Sequence, residues 1–157
     1  MADMRIAAII LVAIVLVGAI ASYAPAENKI VEKTAITFAD GTKITAEIAD
    51  DDAEQESGLS NRDGLGTNDG MLFVFDYEDH WGFWMVDMRF PLDMIWVSSQ
   101  NKIVYIQKNA QPCDEGCDTY VPAAAAKYVI EVNSGFANKH NLKIGDEVVI
   151  RTTPSEI

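Results

Sequence analysis

The chain has 157 residues, 49% of them hydrophobic, and a formal net charge of −12. This length suits a single domain, and this hydrophobic content excludes a chain that is disordered throughout. The acidic balance argues against nucleic acid as a partner, because no basic stripe is present to neutralise phosphates. The acidity is explained either by a soluble exposed surface or, alternatively, by an acidic face for a cationic ligand.

An apolar run at residues 6–20 carries no charged or polar side chain. Arg5 precedes it and Lys29 is the first basic residue after it, so the positive-inside rule predicts an exported domain. The run predicts a transmembrane helix that anchors the protein to the cell membrane. The alternative is a cleaved signal segment, giving a secreted or periplasmic protein, since residues 19–21 and 24–26 have the small-x-small form of a cleavage site.

These patterns divide the chain into four parts. Residues 1–24 are the anchor or signal segment, 25–33 a polar linker, 34–152 a single exported globular domain, and 153–157 a C-terminal tail. The working domain is therefore expected on the extracytoplasmic side of the membrane.

Cys113 and Cys117 are the only cysteines. In an oxidising compartment such a close pair is most simply a disulfide. So short a loop should contribute only about 2 kcal/mol, enough to fix a loop but not to hold the fold. A zinc site with His80 or His140 is the alternative, but the C-x3-C spacing is less typical of zinc. No metal and no cofactor are predicted.

The elements before residue 76 begin with a hairpin. Residues 35–38 and 42–48 flank the turn pair Asp40–Gly41, a strong hairpin signal. Acidic residues 50–52 predict the start of a helix that Gly58 ends after about two turns. Calcium binding by these acidic residues is the alternative, though the twelve-residue loop pattern is missing. Residues 60–70 are predicted as a loop and 71–75 as a buried strand.

Five further strands are predicted, with a short helix over residues 134–141. The strands cover residues 83–86, 94–97, 103–106, the end of 123–132, and 147–151. No parallel βαβ rhythm is apparent. The fold class is therefore mainly β, an antiparallel sandwich or barrel-like domain of about eight short strands and two minor helices.

The segment after Pro91 is apolar on both faces. Leu92, Met94 and Trp96 share one face, and Asp93 shares the other with apolar residues. A carboxylate there must be partnered or protonated, because an unpaired buried charge costs several kcal/mol. Arg89 or backbone N–H groups of the turn at Pro91 are the expected partners, and the simplest role for Asp93 is structural.

Functional interpretations of the same stretch remain open. Asp87 and Asp93, with His80 near by, are candidate catalytic residues of a hydrolase-type enzyme that divides acid and base roles between two carboxyl groups. The other interpretation is a binding site for a sugar or peptide on an aromatic platform, with Trp81 as the ring most expected to be exposed. That ligand site would comprise Trp81, Trp84, Asp87, Arg89 and Asp93. Plain core packing is the simpler explanation of the tryptophans.

The four methionines of this region suit an irregular core better than a Cu(I) site, which is the alternative. They are Met71, Met85, Met88 and Met94.

In the order and spacing of its motifs the chain resembles the uncharacterised prokaryotic family called domain of unknown function 192, over about residues 36–150. The motifs are residues 47–49, 55–59, 70–75, 83–85, 91–93, 109–113, 126–132, Gly135 and 144–146. The resemblance implies a compact, mainly β sandwich protein that is often exported, and it implies no activity. Where many members read Phe-Trp-Met-Lys-Asn-Thr, this chain has Val86, Asp87 and Met88 after Met85, which weakens any role carried over to Asp87.

The expected function is a membrane-anchored or secreted extracytoplasmic domain, either binding a small molecule, sugar or peptide or associated with the cell envelope, and not an enzyme. A hydrolase using the carboxylate pair and a structural partner-docking module are the alternatives.

Overall fold

The computed structural model of the protein describes residues 31–151. The anchor or signal segment predicted at residues 1–24, most of the linker and the tail at 153–157 lie outside these residues. Among the helices of residues 31–151, none has the length and apolar character needed to cross a bilayer.

Seven strands and two short helices make up the described part of the chain. The strands are β1 (Lys33–Phe38), β2 (Lys43–Ala49), β3 (Asp69–Asp79), β4 (Leu92–Val97), β5 (Ile103–Ala110), β6 (Ala126–Asn133) and β7 (Val148–Arg151), and the helices are α1 (Asp52–Ser57) and α2 (Phe136–Lys139). All strands join one sheet in the order β5-β4-β6-β3-β2-β1-β7. Only the β2–β3 pair is parallel among these neighbours.

The mainly β class is confirmed, but two details of the prediction are wrong. The sandwich alternative is wrong, because the strands form one curled sheet, which agrees with the barrel-like alternative. The chain also contains a parallel crossover, in which α1 connects β2 to β3. Its helix has only six residues, too short to produce a visible βαβ rhythm in the sequence.

The strand predicted at residues 83–86 is also absent from the described part of the chain. Only two isolated bridges occur there, Phe83 with Tyr120 and Val86 with Cys113. Met85 is buried at 1% exposure whereas the neighbouring Trp84 is 51% exposed. These four apolar residues therefore form a loop, in which one side chain is deeply buried and its neighbour is exposed.

The hairpin and the predicted helices are confirmed. β1 and β2 pair antiparallel around Gly41, whose φ of 85° is readily adopted by glycine. The side chain of Asp51 caps α1 by accepting a hydrogen bond from the Glu54 N–H at 2.8 Å. Gly58 ends α1 with a φ of 47°.

The sheet curls until its two outer regions meet at one end. Ile103, at the start of β5, donates its N–H to the Asp146 carbonyl at 2.9 Å and accepts from the Gly145 N–H at 2.8 Å. Val148, at the start of β7, donates to the Asn101 carbonyl at 2.9 Å. These bonds give the sheet the form of a half-barrel.

Each face of the sheet carries its own hydrophobic core. The first core includes Ile95 and Val97 of β4 and is covered by α2. The second core includes Leu92, Met94 and Trp96 of the same strand. The prediction that β4 is apolar on both faces is thus confirmed, as is the burial of the four methionines, all of which belong to the second core.

Candidate functional site

A cavity of about 380 Å³ opens beside the second core. A volume of this size is typical of pockets that take small organic molecules. Five aromatic side chains form much of its wall: Phe73, Phe75, Trp81, Phe83 and Trp84. Their rings also contact one another, with Phe75 stacked on Trp81 at a centroid distance of 4.0 Å and Phe83 edge-on to Phe73 at 4.8 Å.

The opposite side of the cavity is formed by the end of α1 and the residues after it, 55–60. The Gln55 amide donates to the Val74 carbonyl at 2.9 Å and so fixes the helix against β3. Gly58 lies against the Phe73 ring, which a Cβ at this position would meet at 3.4 Å. A glycine here therefore serves both the positive φ of the helix end and the close approach to an aromatic wall.

The wall segment, residues 83–88, is held in place by bonds from two sides. On the α1 side, Asn61 donates its N–H to the Asp87 carbonyl at 2.8 Å and the Ser60 hydroxyl donates to the Val86 carbonyl at 3.1 Å. On the other side, the Cys113 N–H donates to the Met85 carbonyl at 3.1 Å. The segment has no ladder of its own, so these bonds position the cavity residues Phe83, Trp84 and Met88.

Cys113 and Cys117 form a disulfide, as predicted. Cys113 is also the residue that bonds to Met85. The disulfide spans too few residues to hold the fold, but it restrains the loop that supports the wall segment.

Glu131 is the most unusual group in the cavity. It lies on β6, between Met71 of β3 and Met94 of β4, and is only 5% exposed. Among residues 31–151 no hydrogen-bond partner contacts its carboxyl group, yet the residue lines the cavity. Burial raises the pKa of Glu131 from its ordinary value of 4.5 to about 8, so the group is mostly a neutral acid at pH 7.

Arg62 is the charged residue that affects the pKa of Glu131. Its positive charge lowers that pKa, but by less than burial raises it. The Arg62 guanidinium is 2.7 Å from Glu47, whose pKa is lowered by that hydrogen bond. Lys33 approaches the same carboxylate at 3.9 Å. Arg62 is thus engaged with Glu47 and leaves the Glu131 oxygens without a direct cation.

Both predicted ligand-binding tryptophans, Trp81 and Trp84, line the cavity, but their exposures differ from the prediction. Trp84 is the exposed ring at 51%, whereas Trp81, predicted as the more exposed, is half-buried. The Trp81 indole N–H is buried with no partner in the described part of the chain. Its carbonyl accepts from the Trp96 indole at 2.9 Å, which ties the cavity wall to β4.

Asp93 is fully buried and faces the first core, away from the cavity. Its two oxygens accept backbone N–H groups, from Asn109 and from Ala137, each at 2.8 Å. The expectation that backbone donors satisfy Asp93 is confirmed, but the donors belong to the end of β5 and the first turn of α2. The turn at Pro91 and Arg89 are not its partners.

The remaining predicted site residues are not brought together. Arg89 pairs with Asp63 at 2.6 Å. Asp87 is exposed, with a φ of 57°, and His80 is exposed with its Nδ1 2.8 Å from the Pro122 carbonyl. Because Asp93 is sealed behind the sheet, the structure offers no common cleft in which Asp87, Asp93 and His80 could act as acid and base.

Glu131 is the residue that sequence reasoning missed. The signal was present: Glu131 is flanked by Ile130 and Val132 in a run apolar on both sides. A single carboxyl in a two-sided apolar strand must be partnered, protonated or functional, the same reasoning that identified Asp93.

Comparisons with known proteins place the chain in a family. A solved structure described as a candidate transcription regulator from Sinorhizobium meliloti 1021 matches with a TM-score of 0.71 and 28% identity, over 78% of this chain and 98% of that one. A protein of unknown function from Novosphingobium aromaticivorans DSM 12444 matches with a TM-score of 0.66 and 32% identity, over 80% and 89%. No curated protein matches the chain. The family model for domain of unknown function 192, described as an uncharacterized ACR, matches residues 35–150, and the chain therefore belongs to that family.

Proposed function

We propose that the protein is an extracytoplasmic domain that binds a small organic molecule in the aromatic cavity beside the second core. The observation that carries the proposal is a cavity of about 380 Å³ whose wall is mostly aromatic and whose interior presents one carboxyl group without a hydrogen-bond partner among the described residues. Largely apolar pockets with few convergent polar groups are typical of ligand sites.

The energetics of the site support binding over simple packing. Burying Glu131 without a partner costs folding free energy, and so does burying the Trp81 N–H. A core selected only for stability would replace both groups by apolar ones, whereas groups held at a cost to folding are frequent at functional sites.

The extracytoplasmic location rests on the sequence. The apolar run at residues 6–20 with Arg5 before it favours export, and a disulfide between the only two cysteines suits an oxidising compartment. DNA binding is not proposed, because a net charge of −12 opposes approach to phosphates.

Binding can be tested with the purified full-length protein and a panel of soluble neutral, cationic and anionic compounds, each of fewer than about 15 non-hydrogen atoms. Tryptophan fluorescence reports occupancy directly because Trp84 lines the cavity. A ligand at a hundred times its Kd should raise the free energy of unfolding by about 2.7 kcal/mol.

The matched variants are Trp84→Ala and Ile144→Ala. Both remove an exposed apolar side chain, but only Trp84 lines the cavity. We expect Trp84→Ala to weaken binding about tenfold and Ile144→Ala to leave it unchanged. The proposal fails if no compound binds, or if the two variants bind alike.

Location is tested separately by adding protease to intact cells, and then to cells with a permeabilised outer membrane where one is present. The domain should be degraded in one of these conditions. Protection until the inner membrane is lysed would show that the domain is cytoplasmic. N-terminal sequencing of the mature protein distinguishes an uncleaved anchor from a removed signal.

A further inference from the structure

The ionisable side chains that line the cavity are all acidic. Glu56 and Glu131 are the acidic residues in its lining, and within residues 31–151 that lining contains no lysine, arginine or histidine. The whole chain carries 24 acidic and 12 basic residues, so the surroundings reinforce this sign. An anionic ligand would therefore meet repulsion without a counter-charge, and the choice lies between a neutral and a cationic ligand.

The aromatic wall favours a cationic ligand over a neutral one. The faces of indole and phenyl rings carry negative electrostatic potential and attract cations, with tryptophan the most effective. Trp81 and Trp84 both line this cavity, together with three phenylalanines. Cages of aromatic rings are an arrangement by which proteins recognise quaternary ammonium groups.

Glu131 supplies a buried carboxyl group with which such a cation could pair. It is 5% exposed, it lines the space, and no described residue hydrogen-bonds to its carboxyl group. Its sheet neighbours on β3 and β4, Met71 and Met94, are apolar. An ionised Glu131 would therefore have its charge balanced by the ligand itself.

Building on the proposed binding function, we infer that the ligand of this cavity is an organic cation, a molecule with an ammonium group that contacts the aromatic rings and pairs with the Glu131 carboxylate. The reaction is a binding step with a proton balance. Glu131 in its neutral form gives its proton to solvent, and the cation takes the place of that proton beside the carboxylate.

The charged groups around Glu131 determine how its ionisation, and with it ligand binding, depends on pH. Arg62 is the cation that influences it, and that guanidinium is held by Glu47 at 2.7 Å, with Lys33 on the same carboxylate. Glu56, on α1, is the other acidic residue of the lining, and its side chain is exposed. Because burial raises the pKa of Glu131 to about 8, its ionisation changes between pH 6 and 9.

Choline and its uncharged isostere 3,3-dimethyl-1-butanol provide the test, by calorimetric titration of the full-length protein. The charge of choline does not change with pH. Its affinity should rise about tenfold per pH unit from pH 6 toward pH 8 and level off above, because the site must lose a proton. At pH 9 choline should bind at least tenfold more tightly than the isostere.

Glu131→Gln keeps the size of the side chain and removes its ionisation. Choline should lose at least tenfold in affinity at pH 9 and bind independently of pH, while the isostere should still bind, which also shows that the variant is folded. Glu32→Gln removes one formal charge from an exposed residue outside the cavity and should leave choline binding unchanged.

Each outcome has a defined meaning. If the isostere binds in a Trp84-dependent manner but choline binds no better, or binds equally well to Glu131→Gln, the cation inference is overturned and the binding function stands. If neither compound binds and the wider panel also fails, both are overturned. Tighter binding of an anion than of choline would likewise overturn the inference.

Discussion

Asp93 and Glu131 are buried carboxyl groups on the neighbouring strands β4 and β6, and they face opposite sides of the same sheet. Asp93 is 0% exposed and Glu131 is 5% exposed, so burial alone does not distinguish them. Two backbone N–H groups at 2.8 Å satisfy the Asp93 oxygens, whereas no described residue hydrogen-bonds to the Glu131 carboxyl group. The comparison teaches that a buried carboxyl is structural or functional according to what its surroundings leave unsatisfied.

The surroundings of the two carboxyl groups differ because different elements cover the two faces of the sheet. Over the first core, the first turn of α2 turns the Ala137 N–H toward Asp93, and Asn109 at the end of β5 does the same with a φ of 53°. Over the second core, the cover consists of α1 and the wall segment, which enclose the cavity without directing a donor at Glu131. One face is closed by hydrogen bonds, whereas the other retains the cavity that we propose as a ligand site.

The largest expected effect separates the two groups by pH. The pKa of Glu131 is raised from 4.5 to about 8 in the folded protein, so burying it costs least below pH 4.5, where it is neutral in both states, and the folded protein loses stability as pH rises from there through about 8. Relative to Glu131→Gln, the wild type should lose up to about 4 kcal/mol of unfolding free energy across that window. Urea denaturation of both proteins at pH 5 to 9 measures this difference.

Taking the difference between the two proteins cancels the contributions of Asp40, Glu47 and Glu78. The pKa values of these carboxyl groups are lowered, so their stabilisation is lost on acidification, in the opposite direction. A constant difference between wild type and Glu131→Gln over pH 5 to 9 would show that Glu131 has a partner or stays solvated.

Asp93→Asn should give the second largest effect, a loss of about 3 kcal/mol at pH 7. An asparagine offers one acceptor oxygen, so its NH₂ group would face either the Asn109 or the Ala137 N–H and leave that donor unsatisfied. Chemical denaturation provides the measurement, with Glu131→Gln at the same pH as the matched control. Stability equal to or above that of the wild type would refute the structural role of Asp93.

Removing the disulfide should cost about 2 kcal/mol in the variant with Cys113→Ser and Cys117→Ser, and lower the melting temperature by several degrees. The loop is short, which limits the entropy that the cross-link removes from the unfolded chain. Because Cys113 supports Met85 in the wall segment, the same variant should also bind cavity ligands more weakly. Full ligand affinity in this variant would show that the wall segment does not depend on the cross-link.

The sequence predicted best what depends on neighbouring residues. The turn at Gly41, the capped α1 and the two-sided apolar β4 each follow from a local pattern that the fold leaves intact. The run at residues 83–86 has the composition of a strand but is held by distant partners, Asn61, Ser60 and Cys113, which no local pattern contains.

The candidate site shows the same division. Aromatic content alone predicts Trp81 and Trp84 in the site, but recognising Glu131 as its carboxyl group requires knowing which elements cover each face of the sheet. Alternation along β4 and β6 indicates which residues point together, and it gives no information about which helix or loop later lies above them. The donors to Asp93 come from 16 and 44 residues further along the chain.

The smallest expected effect concerns Asp87, the second carboxyl group of the catalytic hypothesis. Its side chain is exposed, and what its position demands is a backbone φ of 57°. Asparagine adopts that conformation as readily as aspartate, so Asp87→Asn should change the unfolding free energy by less than about 0.5 kcal/mol. Asp87→Val keeps the site exposed but places a β-branched residue at positive φ, and should cost about 1–2 kcal/mol. Chemical denaturation of the pair therefore separates charge from backbone conformation: a large loss with Asn would give the carboxylate itself a role, and equal stabilities of Asn and Val would show that the left-handed conformation does not persist in solution.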